Sequence, residues 1–139
     1  MKIITLYRPV GLKELELIAT LHWQAFPPRL DWQPIFYPVL NQSYAEQIAG
    51  EWNTKDIFSG NCGIVTAFDI TEEHFKKYDI QNVGGDTHNE LWIPAQELND
   101  FNKNIIGSIR IVKAFFGSEF IMPADAEIAK ILEGFKNDY

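Results

Sequence analysis

Apolar residues recur along this chain in two rhythms, every second position in some stretches and every third or fourth in others, and each rhythm predicts a backbone. Ile3 to Tyr7 reads as a strand, brought to an end by Pro9-Val10-Gly11. Leu12, Leu15, Leu17 and Ile18 follow at nearly helical spacing with Lys13, Glu14 and Glu16 between them, which predicts an amphipathic helix running to Trp23. Phe26-Pro27-Pro28-Arg29-Leu30-Asp31-Trp32-Gln33-Pro34 breaks both rhythms. Its prolines fix the backbone and lack N–H donors, so it is expected to be a stiff loop with the makings of a lid. Ile35 to Val39 reads as a second strand interrupted by Pro38, and Asn41 as the cap of a helix with the apolar stripe Tyr44, Ala45, Ile48, Ala49 and Trp52.

After the turn signal Ser59-Gly60-Asn61, Cys62 to Ile70 has the apolar character of a strongly buried strand. Thr71 is placed to cap a short helix over Glu72 to Lys77, whose early acids suit a helix N-terminus. Ile80 to Val83 and Thr87 to Ile93 read as strands on either side of Gly84-Gly85, and Pro94 as the first residue of a helix to Phe101. Asn104 to Phe115 is a long strand with Gly107 as its expected bulge. Pro123 introduces a final helix, Ala124 to Phe135, with Ala126, Ile128, Ala129, Ile131 and Leu132 facing the body. The expected fold is a compact mixed α+β domain, with mainly antiparallel sheets and short flanking helices.

Composition narrows the function. A chain of 139 residues fits one domain with a sizeable core. Its apolar runs are broken by charge well short of the ~20 residues a membrane span needs, and no signal-like segment opens it, so a cytoplasmic protein is expected. The formal net charge of -7 argues against a nucleic-acid coat. Cys62 alone allows neither an internal disulfide nor a cysteine-based zinc site, and reads as a small buried hydrophobe. His22, His74 and His88 lack metal-ligand spacing, and the Glu72-Glu73-His74 triplet looks solvated, so no metal is expected. Neither a GxSxG elbow nor a GxGxxG fingerprint is present.

Two charged residues stand inside apolar, strand-like sequence, where a charge costs free energy unless it is paired or used. Alternation puts Glu90 on one strand face with His88 and Trp92. There a carboxylate can accept a hydrogen bond from a ribose hydroxyl or stabilise an oxocarbenium-like cation; the alternative is an ion pair with Arg8 or Arg110. Arg8 is held extended by Pro9, which suits a bidentate contact to phosphate or carboxylate; the alternative is a surface arginine or the partner of an acid in the Glu14-Glu16 helix. Tyr7, Trp32, Phe36, Tyr37 and Trp92 can supply a wall for a stacked ring, or simply core.

The run Leu6-Tyr7-Arg8-Pro9-Val10-Gly11, then Phe26-Pro27-Pro28-Arg29, then Pro34 to Asn41 with Tyr44-Ala45, is similar to small bacterial proteins labelled ADP-ribosylation/crystallin-like. Val83-Gly84, His88, Glu90 to Ala95 and Glu97-Leu98 through Phe101-Asn102 continue the likeness, which ends near residue 112. It implies a core over residues 1–114 and a C-terminal helical extension over residues 115–139 of the one domain. The element order also resembles a compact ADP-ribosyltransferase fold. That resemblance implies NAD as co-substrate, with Arg8 on the first strand and Tyr7, Phe36, Tyr37 and Trp92 lining the nucleotide. Glu90 would be the catalytic carboxylate and His88 its partner toward an acceptor. In such transferases a Glu or Gln commonly stands where this chain has His88, and the hydroxyl-bearing triplet of the second strand is missing. NAD glycohydrolysis, or a non-catalytic immunity or adaptor module that binds another protein, are the alternatives on the same fold.

Overall fold

The computed structural model describes residues 2–136. At its centre is β3 (Cys62–Thr71), buried continuously from Cys62 to Phe68, as its apolar sequence requires of a strand covered on both faces. β1 (Ile3–Val10) pairs antiparallel on one side, from Ile3↔Thr71 to Val10↔Ile64. β7 (Ile105–Phe116) pairs antiparallel on the other. Gly107, at φ +72°, lies where the register slips between the pairs Ala67↔Arg110 and Asp69↔Ile106. The expected bulge is therefore present, and a residue able to adopt positive φ occupies it.

The sheet continues past β1 through a single residue. Val39 exchanges both backbone hydrogen bonds with Tyr7, at 2.9 and 2.7 Å, and also bridges Glu90. Glu90 lies on β5 (Asn89–Leu91), which pairs with β4 (Ile80–Asn82). Laterally the order is thus β4, β5, Val39, β1, β3, β7. The strand expected over Ile35 to Val39 is regular only as β2 (Ile35–Phe36), because Pro38 has no N–H to continue the ladder. The strand expected over Thr87 to Ile93 also divides. β5 bonds to β4 and the Val39 segment, whereas β6 (Ile93–Pro94) bonds to β2, so the chain changes partners at Trp92. Pro94 ends that strand rather than opening a helix, since the next N–H, on Ala95, donates to the Pro34 carbonyl. A 3-10 turn, Ala95–Glu97, precedes α4 (Leu98–Lys103).

Helices cover both faces of the sheet. α1 (Leu12–Thr20) gives Leu15 and Ile18 to the main core, beside Leu6, Val10, Ile64, Phe68 and Ile70 of the strands. It stops short of Trp23 because His22 and Trp23 take positive φ. The prolyl loop is not a free lid: Phe26 is buried against Phe36 and Phe68, and its backbone N–H and C=O both bond to Asn102. α5 (Ala126–Lys136) adds Ile128 and Leu132 to the same core. Residues 137–139 of the expected extension lie outside the described residues.

On the opposite face lies α2 (Gln42–Glu51), capped as expected by Asn41, whose side chain accepts from the Ser43 and Tyr44 N–H groups. Its Ala45 and Ala49 pack on Val65 and Val39. Its expected apolar stripe divides, because Ala45 and Ala49 are buried while Trp52, just past the helix, is 72% exposed. Thr71 caps α3 (Glu72–Phe75) by accepting from His74 N–H. The Glu72-Glu73-His74 triplet is not uniformly solvated: His74 is buried beside Tyr78 and Phe101, and that burial lowers its pKa. No described helix is long and apolar enough to cross a membrane.

Candidate functional site

β5 is short and turned so that Glu90 points at α2. Its Oε2 accepts from the Tyr44 hydroxyl at 3.0 Å, and its Oε1 from the Trp92 indole N–H at 2.7 Å. Glu90 belongs to none of the ion pairs among the described residues, which join Lys2 and Lys76 to Glu72, Arg8 to Glu14, and Arg110 to Asp69. The carboxylate is therefore held by two neutral donors, and each oxygen keeps a lone pair for another. The cost of this arrangement falls on Tyr44. Burial first, and then the hydrogen bond to Glu90, push its hydroxyl up to about 12.

His88, on the same face as the alternation predicts, stacks on the Tyr44 ring at 4.3 Å with only 16° between the planes. Its Nε2 lies 3.2 Å from Gln47 Oε1. Tyr44 and Gln47, three residues apart on α2, thus meet His88 on one side of the helix. Tyr44 reaches on to Glu90.

Arg8 takes the other option that the sequence leaves open. Its Nε and Nη2 donate to the two Glu14 oxygens at 2.7 and 2.9 Å, and Nη1 donates to the Tyr37 carbonyl at 3.3 Å. The guanidinium rests on the Phe36 ring, 4.6 Å from its centroid. These bonds occupy three of the five guanidinium N–H groups. Arg29, also near Phe36, has its pKa lowered by burial and then by the charge of Arg8.

Arg8, Tyr37 and Glu90 line one cleft of about 320 Å³, together with Val39, Ile48 and Asn53. His88 lies in the adjoining cleft with Tyr44, Gln47 and Trp52, and Ile48 is common to both. Trp92 is half exposed and reaches the site through its bond to Glu90. Tyr7 packs into the small cluster beneath α2. Phe36 is wholly buried and offers no face to a ligand, because its ring is already covered by Phe26, Phe101 and Arg8. Trp32 is exposed on the prolyl loop and lines neither cleft.

Sequence reasoning missed Tyr44, Gln47 and Asn53 as site residues. Tyr44 was legible only as a member of an apolar stripe, although a tyrosine at the edge of such a stripe carries a hydroxyl that burial obliges to find a partner. Cys62 is buried in the core, which raises its thiol pKa to about 11. Among the described residues, no group of three His, Cys, Asp or Glu side chains is placed to hold a metal ion. No family model, curated protein or solved structure matches the chain.

Proposed function

We propose that the Glu90 cleft binds NAD or a related ADP-ribose nucleotide, and that the domain is an ADP-ribosyltransferase-like protein. The observation that carries this reading is convergence: three neighbouring chain segments bring Arg8, Tyr37 and Glu90, dispersed in sequence, around one opening. The unpaired carboxylate adds support. Its two neutral donors fix its direction without neutralising its charge, which suits a group that must meet a developing cation.

At about 320 Å³ the cleft is at the lower end of ligand-pocket sizes and fits the nicotinamide riboside half of the dinucleotide. The remainder would extend along α2 past Ile48. Because Glu14 already neutralises Arg8, its two spare N–H groups suit a ribose hydroxyl or carboxamide oxygen better than a phosphate. Tyr37, 40% exposed, is the aromatic available to a ring at this mouth. In the reaction, the bond between ribose and nicotinamide breaks and its electron pair leaves on nicotinamide. Glu90 stabilises the ribosyl cation while an acceptor or water attacks, and His88 orients that nucleophile or takes its proton.

The test is titration of the protein with NAD, followed by thermal unfolding and by nicotinamide release. At ~100 times the dissociation constant, NAD should stabilise the fold by about 2.7 kcal/mol. Glu90→Gln should keep that stabilisation and lose nicotinamide release. Absence of stabilisation in the wild type would overturn the nucleotide assignment. Stabilisation without turnover in the wild type would keep it and leave a non-catalytic binding module.

A further inference from the structure

Past the C-terminal end of α2, the clefts open into a broad trough of about 840 Å³ walled by Glu51, Trp52, Asn53, Lys55 and Asp56. Trp52, 72% exposed, lines the trough, and just beyond Asp56 the chain exposes two more large apolar side chains, Ile57 at 75% and Phe58 at 91%. A mobile loop would not need explaining, but this corner is tied down. Thr54 Oγ1 donates to the Gly50 carbonyl at 2.7 Å, Asn53 Nδ2 to Ser59 Oγ at 2.9 Å, and Ser59 Oγ to Asp56 Oδ2 at 2.8 Å. Asp56 Oδ1 also accepts from Phe58 N–H at 3.1 Å. The hydrogen bonds fix the backbone while the large side chains remain in water, the opposite of what core formation would select.

We infer that this trough is a docking seat for a cationic side chain on an exposed segment of a partner protein. Trp52 lines the trough and is 72% exposed, and an indole is the best aromatic surface for a guanidinium or ammonium group. Glu51 and Asp56 stand beside it, and neither belongs to an ion pair among the described residues. Lys55 offsets one of the two acids, which leaves a seat for one cation rather than a polycation. Ile57 and Phe58, which follow Asp56 in the chain, add exposed apolar surface that a polypeptide can cover and a free amine cannot. The net charge of -7 would steer a basic partner toward the domain.

This inference does not depend on a nucleotide at Glu90. Its probes are N-acetyl-leucyl-arginine amide and the citrulline analogue, which has nearly the same shape without the charge, titrated into 15N-labelled protein. With the arginine probe, shifts should concentrate at residues 48–58 and include the Trp52 indole N–H. The citrulline probe, and the arginine probe on Trp52→Ala, should each bind about two- to fivefold more weakly. Equal response to both probes, an undiminished response in Trp52→Ala, or no response would each overturn the proposal. So would shifts at these residues that appear on concentrating the protein alone and vanish in Phe58→Ser, since the face would then close on a second copy. NAD titrated into the same sample is read at Glu90 and at the Trp92 indole N–H, which lie outside the trough, and the arginine probe at Trp52, Lys55 and Asp56, which lie outside the Glu90 cleft, so either proposal can fail while the other stands.

Discussion

Glu90 is anchored by one hydroxyl and one indole N–H, so its orientation is as good as those two neutral bonds. Removing the hydroxyl in Tyr44→Phe should cost about 1 kcal/mol of stability near neutrality. The cost should depend on pH in a defined sense. Tyr44 is raised from 10.0 to about 12, so the folded state holds its proton more tightly than the unfolded chain does. Stability from this group is complete below the unfolded value and is lost as pH climbs through the folded one. Phenylalanine has no proton to lose, so the gap between wild type and variant, read from urea midpoints, should hold up to about pH 9 and narrow between about pH 10 and about pH 12. A gap that stays constant would mean that Tyr44 titrates as it does in water. Sequence alone singled out both Glu90 and Arg8, because a charge inside an apolar strand must be paired or used. It also offered an acid of the Glu14-Glu16 helix as a partner for Arg8. Choosing between that partner and a ligand requires the distance from strand to helix, which no spacing along the chain encodes. Tyr44 escaped for a related reason: periodicity identifies the face of a helix and says nothing about what stands at the edge of that face.

Among the elements, the helix that carries Tyr44 is held close to the sheet by the absence of a side chain. Gly63 on β3 lies directly under α2, and a Cβ there would sit 2.4 Å from the Ala49 carbonyl oxygen and 2.6 Å from Ala49 Cα. Backbone cannot swing aside as a flexible side chain can, so Gly63→Ala must lift the helix. The expected cost is about 2 kcal/mol. Lifting the helix should also shift the Trp92 indole N–H resonance, because Tyr44 would move away from the Glu90 that both contact. Gly107→Ala is the matched control. Nothing lies within 4 Å of its added Cβ, and only the positive φ penalises it, at about 1 kcal/mol. If thermal melts rank the two the other way, the close approach of α2 to β3 is wrong. Element positions were largely legible, because β3, α2 with its Asn41 cap, the Thr71-capped turn and the Gly107 bulge each follow from local pattern. The division at Trp92 was not legible. Residues 87 to 93 alternate like one strand, and their exchange of partners from β4 to β2 depends on neighbours far away in sequence.

At the scale of the molecule, the antiparallel α+β character follows from the alternation of short strands and helices, but the lateral order that brings β5 within reach of β1 rests on the single residue Val39. The C-terminal segment makes a sharper case. Resemblance marks residues 115–139 as an extension, yet β7 runs through that boundary to Phe116, and α5 then returns to the main core. Ile128 and Leu132 are 1% and 0% exposed, packed in the same cluster as Leu6 and Phe68. Two aliphatic side chains buried from water contribute together about 3–6 kcal/mol. A domain of this size has a total stability of about 5–15 kcal/mol. A chain ending at Gly117 would also leave Phe116 without Phe120, its ring neighbour at 4.8 Å. Such a chain should lose most of its stability, with a denaturant midpoint far below that of the full chain and a lower m-value if part of the core stays open. An unchanged midpoint would show instead that α5 only rests on a fold already complete at β7, and that the boundary drawn by resemblance is also the physical one.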